Sequence, residues 1–381
     1  MEQLIDTQLL EYFDPKIRPF VENIQTEEEF GILPGSLNIF DACSGCPQDI
    51  DQRRFDRFKL SVPYCGQNLT WEVIFDCSCP EEPPDFIFGP DDDDFLPPME
   101  EMESLSKWDA TKHDSLLLMI KELLRYYRQH NNIRAAHHHR IEQDISSLLT
   151  SIDLNPNDLE LYITGTEVKA GVVYIVLRLQ VDFSQIPAYL IQANPGEDQA
   201  VLYFTYPSPD SSRVTPVLHL SPRVENALGG ATCLRIPSYT SGTLLGDYVA
   251  HVKQQLDNKV TQVVRGFEKR KEYIAAFLSQ FGRCVIEYDL QTFSNISFLF
   301  EWNDFFFIYA VELPLYFPAE TPKFTFQSVY HEVKGQPYFE TVGNFPYSPR
   351  WSADEMASRA KLFIMNHISK FQRASVLAKQ K

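Results

Sequence analysis

Pro80-Glu81-Glu82-Pro83-Pro84-Asp85-Phe86-Ile87-Phe88 is echoed by Pro318-Ala319-Glu320-Thr321-Pro322-Lys323-Phe324-Thr325-Phe326. Both stretches fit Pro-x-x-x-Pro-x-Phe-x-Phe. Ahead of the first, Leu69, Trp71, Val73 and Phe75 alternate; ahead of the second, Phe307, Tyr309, Val311 and Leu313 do the same. Apolar residues at every second position mark strands with one face buried. Two prolines four apart cannot extend a hydrogen-bonded ladder, so they stiffen a connection between strands. The aromatic alternation after the second proline opens the next strand. Each copy then reaches a tryptophan and a stripe of helical period: Trp108 with Leu116, Ile120, Leu123 and Tyr127, then Trp351 with Met356, Ala360, Ile364 and Ile368. One supersecondary unit is used twice. Sheet followed by helix predicts an α+β fold, antiparallel sheets with flanking helices.

A weaker third copy lies between them. Phe183-Ser184-Gln185-Ile186-Pro187-Ala188-Tyr189-Leu190-Ile191 keeps the second proline, Pro187, and the alternation; Ile175, Leu177, Leu179 and Val181 give the strand before it. Leu4, Leu9, Leu10, Phe13 and Ile17 suggest a short opening helix, broken near Pro15. Arg134 to Leu149 reads as one helix carrying His137, His138 and His139. Tyr248, Val252, Leu256 and Val260 read as a helix closing the middle unit. Phe267, Ile274, Phe277, Leu278 and Phe281, stopped by Gly282, read as a second helix opening the last unit. The expected tandem units are 1–130, 131–256 and 257–381, a division that suits 381 residues.

A hydrophobic content of 44% with 28 phenylalanines is ample for packed cores, and the net charge is −18. That charge argues against a nucleic-acid backbone as direct partner. The basic run Arg265, Lys269, Arg270, Lys271 is expected to be a solvated helix face. No basic leader precedes an apolar stretch near Met1, and the longest apolar run, Phe305 to Phe317, is too short to span a bilayer. Seven cysteines without regular spacing fit reduced thiols in cytosol or nucleus.

Residues able to carry chemistry are sparse. Cys43 and Cys46 form a lone Cys-x-x-Cys pair without two further ligands at comparable spacing. Cys77 and Cys79 alternate on an expected strand. Three consecutive histidines on a helix diverge by 100° each, so no two adjacent rings share a face. Asp91-Asp92-Asp93-Asp94 lacks the glycine and terminal glutamate of a calcium loop and reads as a solvated acidic loop. Neither a cofactor nor a metal site is expected.

The order of strand, Pro-x-x-x-Pro, strand, tryptophan and helix resembles the ubiquitin-conjugating-enzyme fold. Lys107-Trp108-Asp109 and Arg350-Trp351-Ser352 stand where that fold carries its Trp-Ser-Pro turn. Along nearly its whole length the chain resembles the brain and reproductive organ-expressed (BRE) family, ubiquitin-conjugating-enzyme-variant (UEV) subunits of the BRISC and BRCA A deubiquitinase complexes. Arg57-Phe58-Lys59-Leu60, the run Pro83 to Gly89, Glu272-Tyr273-Ile274-Ala275-Ala276-Phe277-Leu278-Ser279, Thr325 to His331 and Tyr347-Ser348-Pro349-Arg350-Trp351 carry the likeness.

The resemblance implies three tandem UEV/RWD-like units and a non-catalytic scaffold role in the cytoplasm and nucleus. The implied partners are a JAMM metalloprotease deubiquitinase subunit, an Abraxas-type scaffold, a von Willebrand A-like adaptor, a serine hydroxymethyltransferase and polyubiquitin. The implied roles lie in DNA-damage, receptor and anti-apoptotic signalling. A conjugating enzyme needs a thioester cysteine with an oxyanion asparagine nearby. The first unit has no cysteine after Pro84 and the last has none after Pro322. In the middle, Gly229-Gly230-Ala231-Thr232-Cys233-Leu234 with Asn226 resembles the family's cysteine motif, but Ser221-Pro222-Arg223 replaces His-Pro-Asn and Cys233 lies too far beyond Pro187. An active transferase through Cys233, and a free adaptor binding Pro-rich peptides, are the alternative readings. UEV domains also hold proline-containing peptides in aromatic clefts, and extended proline segments lose little entropy on binding. Tyr330, Phe345, Tyr347 and Trp351 are the expected contacts for such a tail in the last unit; for Phe345 and Trp351, capping of the core is the competing reading.

Overall fold

Each proline turn joins neighbouring strands of an antiparallel sheet. The computed structural model describes residues 10–27, 30–33, 35–45, 54–92, 94–152, 154–166, 169–187, 198–230, 232, 234–343 and 345–379. In these the chain is mixed α+β with three antiparallel sheets. The first sheet runs β1 (Asn38–Cys43), β2 (Arg57–Tyr64), β3 (Gln67–Ile74), β4 (Asp85–Ile87) in sequence order. The second is β5 (Leu159–Gly165), β6 (Ala170–Arg178), β7 (Ala200–Tyr206), β8 (Thr215–Leu220), also in order. The third is β9 (Val285–Tyr288), β10 (Asn295–Trp302), β11 (Phe305–Glu312), β12 (Lys323–Val333), β13 (Gln336–Val342).

The chain condenses into two compact bodies. The first holds 1–180, 199–220 and 236–253, and the second holds 181–198, 221–235 and 254–381. The first body therefore contains the first two sheets. Helices α1 (Arg18–Gln25), α2 (Glu103–Ser106), α3 (Ser115–Ala136) and α4 (His139–Ser151) accompany them. Leu116, Ile120, Leu123 and Tyr127 of α3 are fully buried, as their spacing predicts, with Leu60, Trp71 and Val73 in the same core. In the second body Met356, Ala360, Ile364 and Ile368 of α7 (Ala353–Lys379) are buried with Phe307, Tyr309, Phe324 and Phe326. A short helix, α5 (Pro222–Ala227), precedes α6 (Leu245–Phe281).

Tight turns set the registers. Cys65-Gly66 joins β2 to β3, Asn303-Asp304 joins β10 to β11, and Lys334-Gly335 joins β12 to β13; in each pair both residues have positive φ. That is the two-residue hairpin geometry whose twist matches the flanking strands. The repeated unit thus includes a hairpin turn that its two sequences do not share.

Several expectations change. The two helices expected between Tyr248 and Phe281 are one helix of 37 residues, α6, with no proline to break it. Its turns up to Lys253 belong to the first body and the rest to the second. Conversely, the helix expected over Arg134–Leu149 is split: α3 ends at Ala136, and His137 and His138 form the break before α4. In the last turn of α3 the buried Arg134 guanidinium donates to the carbonyls of Ile163 (2.9 Å) and Gly165 on β5.

Leu179 and Val181 lie beyond the end of β6 at Arg178. Cys77 and Cys79 are exposed residues in the turn after β3, not strand positions. Phe13 forms an isolated bridge with Phe55 and Ile17 precedes α1, whereas Leu4 and Leu9 lie outside the described residues. Cys46, Asp93, Tyr189, Leu190, Ile191 and Cys233 also fall outside them.

Candidate functional site

The first proline turn is closed by an indole. Pro80 and Pro84 are buried, and Trp108 Nε1 donates to the Glu81 carbonyl at 2.8 Å. The Trp108 ring lies 5.2 Å from Phe20 and 6.4 Å from Phe75, centre to centre. Lys16 pairs with the exposed Glu81 carboxylate. Beyond the turn β4 has three residues and stands at the sheet edge. Phe86 and Phe88 are consequently only partly buried, one on each side of exposed Ile87.

The second proline turn is closed by a phenol. The Tyr347 hydroxyl donates to the Pro318 carbonyl, and its ring centre lies 6.2 Å from that of Phe317. Burial pushes the Tyr347 phenol up to about 12. The Phe317–Pro318 peptide is cis. Pro322 is buried and Pro318 half-buried. Here the following strand, β12, lies between β11 and β13, and Phe324 and Phe326 are fully buried.

Arg270, read from sequence as part of a solvated basic face, is buried under this turn. Its Nε donates to the Thr292 carbonyl at 3.0 Å and its Nη1 to the Leu315 carbonyl at 2.7 Å. Gly266, one helical turn earlier, lets α6 approach: a Cβ there would stand 2.6 Å from the Leu315 oxygen. Arg265 and Lys271 do face solvent, and Lys269 pairs with Glu272.

Of the four aromatic residues expected at a peptide site, three lie in the 343–352 connection from β13 to α7. Phe345 packs on Phe324 with ring centres 4.1 Å apart and edge-on to Phe363 at 5.2 Å. Trp351 lies 4.0 Å under the Arg359 guanidinium, which also pairs with Glu355. Tyr330 stands apart. It is half-exposed near Phe305 and Phe306, roughly 20 Å along β12 from Phe324 at about 3.3 Å per residue.

Sequence reasoning missed a buried carboxylate with several partners in the first body. Glu160 on β5 is buried. It accepts from the Ile32 amide (3.1 Å), the Cys65 amide (3.1 Å) and Arg128 (3.0 Å). Desolvation holds its carboxyl above the usual range, opposed by Arg128 and the two amides. The available signal was a single acid inside the apolar run Leu159-Glu160-Leu161-Tyr162-Ile163, because a buried charge requires partners. A cavity of about 430 Å³ reaches this carboxylate between Gly31, Gly35, Pro63, Gly66 and Asn68. Likewise Asp92 of the acidic loop is buried and accepts from the Tyr127 hydroxyl.

Burial pushes the Cys65 thiol well up, which opposes the thiolate a nucleophile needs. Among the described residues no group of three or more His, Cys, Asp or Glu side chains could hold a metal. Nor is any helix there long and apolar enough to cross a membrane.

The family model described as brain and reproductive organ-expressed protein (BRE) matches residues 11–332. The chain belongs to the BRE family. A Branchiostoma floridae protein named "BRISC and BRCA1-A complex member 2" is 42% identical over 377 residues, 97% of each chain. A Danio rerio protein of the same name is 42% identical over 379 residues, 98% of each chain. Both proline turns and Tyr330 fall within the BRE match, whereas Phe345, Tyr347 and Trp351 lie beyond it.

Proposed function

We propose that this chain is a non-catalytic subunit of an assembly of the BRISC and BRCA1-A kind, in which a JAMM-type metalloprotease subunit cleaves polyubiquitin. The observation that carries this reading is likeness along 97% of both chains to a protein named as a member of those complexes. An Abraxas-type scaffold and a von Willebrand A-like adaptor are its expected neighbours, with serine hydroxymethyltransferase a further contact of one assembly. In this reading 1–130, 131–256 and 257–381 are tandem UEV-like units. The assembly works in cytoplasm and nucleus, in DNA-damage, receptor and anti-apoptotic signalling. Geometry supports a structural role for the proline motifs: Phe324 and Phe326 are fully buried, and Trp108 and Tyr347 spend their polar atoms on the turns themselves.

Native purification of the tagged chain, followed by intact-complex mass spectrometry, tests the reading. A stoichiometric metalloprotease subunit is expected; recovery of the chain as a free monomer overturns it. Incubation with activating enzyme, ubiquitin and ATP should leave no reducible adduct on a non-reducing gel. An adduct lost in Cys233→Ser would favour the transferase instead.

The 343–352 connection is the proposed seat for a proline-containing tail of the adaptor subunit, with Phe345, Tyr347 and Trp351 as contacts. Calorimetry with such a peptide should show weaker binding to Tyr347→Ala at unchanged Tyr330→Ala affinity, with the melting temperature as folding control. Equal affinities for wild type and a folded Tyr347→Ala would place the groove elsewhere.

A further inference from the structure

Helix α7 uses one side for the core and leaves another uncovered. Leu362, Met365, Val376 and Leu377 are 61%, 50%, 42% and 63% exposed. Leu362, Met365, Ser369, Gln372 and Val376 recur at alternating steps of three and four, the period at which one helix lies along another. The charge of this segment runs against the rest of the chain. The whole sequence carries −18, yet from Met356 to Lys379 it has no Asp or Glu. Lys361, Lys370 and Arg373 are exposed there, and no ion pair satisfies any of them among the described residues.

Beside the helix is an apolar cavity of about 220 Å³, bounded by Phe281, Phe300, Trp302, Ile364, Met365 and Ile368. Ligand pockets start at about 300 Å³, so this one suits a single anchoring side chain better than a cofactor. Lys361 and Glu301 also line it, and Glu301 is its acidic member.

We propose that the exposed side of α7 seats an acidic amphipathic helix of a partner protein, with one leucine or aromatic side chain anchored in the cavity between α7 and β10. Lys361 and Arg373 flank the stripe on either side, with Lys370 farther round the helix; with no ion pair to any of them among the described residues they specify the partner's charge, and the three-four recurrence specifies a helix. Two copies of α7 would set like charges against each other across the seam, which disfavours self-pairing. A lipid surface fits less well, because Ser369 and Gln372 interrupt the stripe.

The probe is a fluorescein-labelled synthetic helix with leucine at the three-four positions and glutamate on its flanks. Its twin carries lysine on the flanks. Anisotropy with the full chain should show salt-sensitive binding of the glutamate peptide and none of the lysine peptide. Met365→Glu, and separately the combination Lys361→Glu, Lys370→Glu and Arg373→Glu, should weaken it by about tenfold or more without lowering the melting temperature. A benzophenone side chain at 362 should crosslink to the peptide, and one at the exposed Leu290 should not. Equal binding of both peptides, or wild-type affinity in the variants, overturns the proposal. So does capture of the wild type by phosphatidylserine vesicles without peptide binding, which would make the face a membrane contact. Sedimentation showing a dimer that Met365→Glu dissociates would overturn it in favour of a second copy.

Discussion

The two copies of Pro-x-x-x-Pro-x-Phe-x-Phe build the same turn and then diverge. After Pro84 the chain forms an edge strand of three residues, and Phe86 and Phe88 stay partly exposed. After Pro322 it forms an eleven-residue strand between two neighbours, and Phe324 and Phe326 are wholly enclosed. The motif therefore fixes the connection, while the strand after it is decided by what comes next. Lys334-Gly335 returns the chain as β13 and covers β12; among the described residues the first sheet has no strand outside β4. The clasps differ in the same sense, an indole from Trp108 in one and a phenol from Tyr347 in the other, each donating to a carbonyl of its turn.

The comparison can be broken most directly at the aromatics. Phe326→Ala should destabilise the second body by about 3–5 kcal/mol, the range for a fully buried phenylalanine. Phe86→Ala should cost the first body roughly half as much, since less apolar area returns to water. Urea unfolding with probes in each body measures both; equal losses would mean that the edge strand is as enclosed as the central one. Arg270→Met comes next. Hydrogen bonds from a charged donor contribute about 1.5–3 kcal/mol, and the second body should lose stability on that order while the first is unchanged.

Trp108→Phe and Tyr347→Phe each remove one donor and keep most of the ring. Each should cost about 0.5–1.5 kcal/mol, and a much larger loss in one would show that its clasp positions more than its turn. The smallest effect is in pH. The Tyr347 phenol is held up at about 12 from an ordinary 10.0, so the folded state binds this proton more tightly than the unfolded state. Its contribution is complete below pH 10 and falls as pH rises from there through about 12. Comparing urea midpoints at the two ends of that window, the loss should be shallower in Tyr347→Phe. An identical loss would assign the alkaline sensitivity to other buried tyrosines such as Tyr273, which burial also raises.

Features governed by local period were legible in the sequence. The alternation of Leu69, Trp71, Val73 and Phe75, and the stripes Leu116 to Tyr127 and Met356 to Ile368, are buried as their spacing requires. Features governed by distant partners were not. Arg270 resembles its exposed neighbours until Leu315 and Thr292, 45 and 22 residues later, are brought to it. The long helix α6 was divided although its buried face runs on through Val260, Val263, Arg270 and Ile274 at helical spacing; the polar Arg270 interrupts the apolar pattern without ending the helix. The aromatic set split for a related reason: composition grouped Tyr330 with Tyr347, while strand β12 carries Tyr330 toward its far end.

The Glu160 carboxylate has a consequence for the order in which the chain acquires structure. It links to amides 128 and 95 residues earlier, at Ile32 and Cys65. During synthesis the β2–β3 turn is therefore made 95 residues before its acceptor, and until β5 arrives those amides are left to water. Non-local closures of this length are slow. A nascent or truncated chain ending near residue 130 would leave the hairpin turn and the 30–33 loop with donors turned toward a space that only the next strand fills. The first sheet is thus the first sheet made, yet its turn amides find their protein acceptor only when the second sheet begins.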